Sequence, residues 1–72
     1  MRTIEIVSEP IELYKLLKFE GLVASGAEGK AVVGAGEVRV NGEVETQKRK
    51  KIVAGDVVTF ADQSLRVELG AD

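Results

Sequence analysis

Apolar and polar residues alternate from Arg2 to Val7, with Ile4 and Ile6 on one side. A period of two predicts a short strand with one covered face. Ser8-Glu9-Pro10 interrupts the alternation, and the period then changes. Leu13, Leu16 and Leu17 stand at i, i+3 and i+4, on one face of a helix. Pro10 suits the first position of that helix, where an N–H would have no intrahelical partner. Glu12 then falls in the first turn, beside the positive end of the helix dipole. Gly21 is placed to stop the helix in a left-handed conformation.

A short connection, Leu22 to Ser25, follows. Ser25 and Glu28 have the capping-box spacing and open a second helix, from about Gly26 to about Ala35. Its composition is poor for a helix, because each interior glycine costs up to about 1 kcal/mol relative to alanine. Gly26, Gly29 and Gly34 therefore make it dependent on tertiary packing. Gly29 offers a place for the first helix to approach, with Val32 and Val33 anchoring the contact.

The rest reads as strands. Val38-Arg39-Val40 runs into Asn41-Gly42, a strong hairpin signal. A two-residue loop pairs Val40 with Glu43 and turns Val44 away. A three-residue loop with a bulge pairs Val40 with Val44 and keeps the valines together, and this is the preferred expectation. Glu45 to Lys51 is too charged for a core strand. Ile52 to Asp56 leads into a turn, Val57 to Phe60 is a buried strand, and Ala61 to Ser64 turns again. Leu65, Val67 and Leu69 alternate with Arg66 and Glu68 as a half-exposed strand. The tail, residues 70–72, is expected to be loose. The order predicts an α+β fold: a helical hairpin packed on a small, twisted, mostly antiparallel sheet.

Composition narrows the chemistry. The 72 residues hold one domain, with 44% hydrophobic and 31% charged residues as in soluble globular chains. No apolar run approaches the ~18 residues of a membrane helix. The first residues lack the apolar core of a secretory signal. A cytoplasmic monomer with no membrane partner is the expectation. The chain has no cysteine and no histidine. Disulfides, thiolate chemistry and the usual general base are therefore excluded. No catalytic residue, cofactor or metal is expected. The aromatics are Tyr14, Phe19 and Phe60, too few for a broad stacking platform. Tyr14 and Phe19 read as core or half-buried.

The net charge of −2 conceals an uneven distribution. From Lys15 to Lys51 there are 8 basic and 5 acidic residues, a net of +3. The remainder holds 2 basic and 7 acidic residues, a net of −5. The basic part ends in Lys48-Arg49-Lys50-Lys51. Such polarity steers an anionic partner to one side of a small domain.

Leu16-Leu17, Gly21, Ser25, the run Gly36-Glu37-Val38-Arg39-Val40-Asn41-Gly42 and Gly55-Asp56 together resemble a known pattern. It is that of the RNA-binding domain of the ribosomal protein S-four type, also called the αL motif. The resemblance covers about residues 13 to 60. Within that family the chain looks nearest to the bacterial stand-alone YbcJ-like proteins. The shared features are Ser25-Gly26-Ala27 with Lys30, and Glu45-Thr46 through Gly55. Many family members carry an arginine where this chain has Gly26, and an alanine where it has Gly29.

The resemblance implies a non-catalytic module that contacts structured RNA, ribosomal or transfer RNA, on one concave basic surface. The candidate contacts are Lys18, Lys30, Arg39, Lys48, Arg49 and Lys51. Lys15, Ser25, Gly26 and Lys50 are secondary. Lysine and arginine neutralise phosphates, and the second helix begins with free N–H groups at Gly26. Arg39, between two inward valines, should face outward. Each residue also has a plainer reading. Arg39 could pair with Glu43 or Glu45, Lys18 with a neighbouring glutamate, Ser25 could be a cap and Asn41 a turn former. An extended Lys48–Lys51 run would point its side chains both ways, a limit that a loop removes. The rival reading is a protein-interaction adaptor using the same fold; the ribosome or a protein stands beside RNA as an alternative partner. The acidic remainder, Glu5, Glu9, Glu12, Asp56, Asp62, Glu68 and Asp72, would face a basic protein.

Overall fold

Ile4 and Ile6 do lie on one covered face of a strand. A computed structural model describes residues 1–70. Its elements in chain order are β1 (Arg2–Ile6), β2 (Ile11–Glu12), α1 (Leu13–Phe19), α2 (Gly26–Gly34), β3 (Val38–Val40), β4 (Glu43–Val44), β5 (Lys51–Ile52), β6 (Val57–Phe60) and β7 (Gln63–Leu69). Five strands form one sheet in the order β1-β7-β6-β3-β4. Its neighbours are antiparallel except β1 and β7, which run parallel with Ile4 opposite Val67. β2 and β5 form a separate antiparallel ladder, Glu12 opposite Lys51.

The alternating strand residues Ile4, Ile6, Val38, Val40, Val58, Leu65 and Val67 meet Leu13, Leu16, Leu17 and Val33 of the helices in one buried cluster. Removing such side chains from water contributes about 1.5–3 kcal/mol each. This burial fixes strand register, because a one-residue slip would expose the whole apolar set. The fold is the α+β arrangement expected, a helical pair on a mostly antiparallel sheet.

The start of α1 departs from the expectation. Pro10 is not its first residue: Ile11 and Glu12 stay extended in the ladder with β5, and the chain turns only at Leu13. Glu12 is therefore the N-cap rather than a first-turn residue, and its side chain makes no capping bond. The opening N–H groups are satisfied from outside the helix. Leu13 N donates to the Lys50 carbonyl at 2.9 Å and Tyr14 N to the Lys48 carbonyl at 3.1 Å. The basic run thus caps α1 with its backbone, leaving its side chains for other work.

The other helix ends follow the sequence signals. Gly21, at φ +75°, ends α1; its N–H donates to Lys18 and that of Leu22 to Leu17, which is the Schellman pattern. Ser25 Oγ accepts from Glu28 N at 3.1 Å, and the Glu28 carboxylate accepts from Ala24 N at 2.7 Å. The helices come together at Gly29: a Cβ there would lie 2.8 Å from the Tyr14 carbonyl oxygen.

The β3–β4 hairpin has the two-residue loop, not the bulged one. Val40 pairs with Glu43 and Arg39 with Val44. Asn41 and Gly42 both have positive φ, 53° and 86°, a type I′ turn whose twist matches that of the strands. Val44 consequently points out and is half exposed. A two-residue turn also joins β6 and β7, Phe60 opposite Gln63, one step tighter than expected. Asn41 does more than turn the chain. Its amide donates to Asp56 Oδ1 at 3.1 Å and accepts from Val57 N at 2.9 Å. Asp56 Oδ2 in turn accepts from Val53 N at 3.0 Å. The Asn-Gly and Gly-Asp motifs are two halves of one latch. Gly70, expected to be loose, donates its N–H to the Ile6 carbonyl at 2.8 Å; the rest of the tail, 71–72, lies outside the described residues. Among the described residues no helix is long and apolar enough to cross a membrane.

Candidate nucleic-acid interface

Close packing at Gly29 leaves Tyr14 half-buried between the helices. Three cations gather at its ring. Lys30 Nζ lies 4.8 Å from the ring centroid, Arg49 Cζ 5.7 Å and Lys15 Nζ 5.9 Å. A cation near an exposed aromatic ring gains about 0.5–1 kcal/mol. The first residue of α2 adjoins the same ring, since a Cβ on Gly26 would touch Tyr14 Cε2 at 3.6 Å. Among the described residues, the Gly26 and Ala27 N–H groups have no protein acceptor.

Glu12 lies within this cluster. Its carboxylate is 3.3 Å from Lys15 Nζ and 3.8 Å from an Arg49 nitrogen. Both pairs are solvent-exposed, so they hold the cations in place at a cost or gain of no more than about 1 kcal/mol each.

The other candidates spread outward. The Lys48 stem crosses the C-terminal turn of α2, with its Cε 3.1 Å from where a Gly34 Cβ would be. A cation is favoured at that negative helix end. Lys50 is half-buried, and Lys51 is exposed in β5. The turn over Lys48 and Arg49 relaxes the two-sided limit that a fully extended run would impose. Arg39 is exposed on β3, and its guanidinium donates to the Gly42 carbonyl at 3.2 Å rather than pairing with Glu43 or Glu45. Lys18 is exposed in the last turn of α1, with no ion pair among the described residues. Ser25 is spent as the α2 cap. The structure thus joins Lys15, Gly26, Lys30 and Arg49, sets Lys48 along α2, and leaves Lys18, Arg39 and Lys51 at separate positions.

The chain matches the S4 domain family over residues 4–68. It belongs to that family. The proposed RNA-binding protein YbcJ of Escherichia coli strain K12 is 48% identical over 68 residues, 93% of this chain and 97% of YbcJ. YbcJ of Shigella flexneri, whose function carries no description, gives the same identity and coverage. The solution structure of E. coli YbcJ, described as revealing an αL motif involved in RNA binding, superposes with a TM-score of 0.71. That match covers 94% of this chain and 87% of YbcJ.

Two features of this S4 domain escaped the sequence reading. Tyr14 is half-buried, as expected, but it is also the centre of the cation cluster. The available signal was Gly26, Gly29 and Lys30 on one stripe of α2, which the tyrosine fills. Phe19, read as core or half-buried, is instead 67% exposed. It falls just outside the Leu13–Leu16–Leu17 face, where the three leucines already fill the contact with the sheet.

Proposed function

We propose that this S4 domain is a non-catalytic RNA-binding module, holding structured RNA by its phosphates where α1, α2 and the 47–51 segment meet. The observation that carries this reading is the convergence of Lys15, Lys30 and Arg49 on Tyr14 in a chain of net charge −2. Three cations held together on an acidic domain cost repulsion, which a polyanion relieves. Phosphate oxygens replace water and counterions around the cluster, and the released counterions supply much of the affinity. The free N–H groups at Gly26 and Ala27 receive a phosphate at the positive end of α2. With no side chain at Gly26, the RNA backbone approaches closely. Lys48, lying along α2, extends the contact, and Lys18, Arg39 and Lys51, at separate positions, meet phosphates further along the RNA.

Recognition of this kind reads shape and backbone, as for ribosomal or transfer RNA, more than base sequence. The similarity to YbcJ supports RNA as the polyanion. The test is neutralisation. Lys30→Gln and Arg49→Gln should each weaken binding to every RNA alike and lower the salt slope by about 1. Arg66→Gln, on β7 away from the cluster, should change neither. A folded Lys30→Gln/Arg49→Gln double variant that keeps full RNA affinity would remove this face from the account.

A further inference from the structure

A second surface lies at the other side of α1. β1 is an edge strand of the five-stranded sheet. The Ile6 carbonyl accepts from Gly70 N and so faces β7. Strand alternation then turns the N–H and C=O groups of Thr3 and Glu5 to the open edge. Unpaired edge groups of this kind accept another strand.

A groove of about 400 Å³ lies beside this edge. Glu5, Ile6 and Val7 wall it on the strand side, and Leu16, Phe19 and Glu20 on the helix side. Val7 is 97% exposed and Phe19 67%, two large apolar side chains left on the rim of a domain whose other apolar residues are mostly covered. The charge here is opposite to that at Tyr14. Of the carboxylates that line the groove, Glu12 is paired with Lys15 and Arg49 and Glu20 with Arg2 at 3.4 Å, which leaves Glu5 without a cation among the described residues. Glu5 also stands directly opposite Glu68 in the β1–β7 register, and neither has a basic partner among the described residues.

We infer that this edge and groove dock an extended segment of a protein partner, one that alternates apolar and basic residues. Its backbone adds a strand beside β1, bonding Thr3 and Glu5. One row of its side chains fills the space between Val7 and Phe19. The other row brings lysine or arginine to Glu5 and Glu68. Charge selects this occupant over a second copy of the chain, which would bring another Glu5 and Glu68 to the same edge. The inference stands apart from RNA binding, although Glu12 and Lys15 border both surfaces.

The experiment titrates the ¹⁵N-labelled protein with acetyl-Lys-Val-Lys-Val-Lys-Val-Lys-amide and with its glutamate counterpart. The amides of Thr3, Glu5 and Val7 should shift with the lysine peptide, and exchange at Thr3 and Glu5 should slow. The glutamate peptide should bind about tenfold or more weakly, as two or three exposed charge contacts change sign. Phe19→Ser should weaken the lysine peptide and leave RNA affinity unchanged. Equal responses to the two peptides, or none at millimolar concentration, would overturn the inference. So would shifts at Thr3 and Glu5 caused by dilution alone, which would give the edge to a second copy, or by RNA, which would give it to nucleic acid.

Discussion

Gly29→Ala is the substitution that tests the helix contact beneath the cation cluster. Two effects of opposite sign compete. Alanine is favoured over glycine in a helix interior by about 1 kcal/mol, which alone would stabilise the variant. Against this, the new Cβ would lie 2.8 Å from the Tyr14 carbonyl oxygen and 3.4 Å from Tyr14 Cβ. The nearer of these is backbone, held in α1 and unable to rotate away. The helices must part by roughly half an ångström, and such overpacking costs about 1–3 kcal/mol. The balance is a loss of about 1 kcal/mol, or about 4–8 °C in Tm for a domain this small. Gly34→Ala is the matched control. Its Cβ would meet the Lys48 Cε at 3.1 Å, but that atom ends a flexible side chain. There the propensity gain prevails, and the variant should be more stable by up to about 1 kcal/mol. Urea and thermal unfolding of the two variants beside the parent check the pair. The reasoning is refuted if Gly29→Ala is as stable as Gly34→Ala. Parting the helices also moves Tyr14 from Lys30, so Gly29→Ala should weaken RNA binding although alanine carries no charge.

Two further outcomes follow from the latch and the cluster. Asn41→Ala removes both bonds of the side chain and puts alanine at φ 53°, so it should cost about 1–3 kcal/mol in chemical unfolding; an unchanged midpoint would mean that Asp56 holds the turn alone. Glu12→Gln frees Lys15 and Arg49 from a competing carboxylate, and should tighten RNA binding about two- to fivefold while shifting stability by less than about 1 kcal/mol; weaker binding would show that Glu12 serves the site by ordering those cations.

The helical hairpin was legible because its signals are local. Leu13, Leu16 and Leu17 give the period, Gly21 the stop and Ser25 with Glu28 the restart. The start of α1 was not, because Pro10 carries a true local preference that a distant ladder with Lys51 and Ile52 overrides. The hairpin loop was misjudged for a related reason. Keeping Val40 and Val44 on one face looked favourable, but the core is already filled by Val38, Val40 and Val58, and Val44 is spare. For the site, charge counting found the cations and missed their organiser. Tyr14 draws its role from Gly26, Gly29 and the folded-back 47–50 segment, all remote in sequence. Asn41 and Asp56 each looked like turn residues; their 15-residue separation hid that they bond to each other.

The central claim is that a domain of net charge −2 binds RNA through a local basic face. The most direct test is fluorescence anisotropy of labelled ribosomal and transfer RNA fragments, beside a random duplex, at several salt concentrations between ~50 and ~200 mM. Contact with about four to six phosphates predicts that log K falls with log salt at a slope of roughly −3 to −5, with tighter binding to a structured fragment than to the duplex. No binding to any RNA at the lowest salt, or an affinity indifferent to salt, would contradict it.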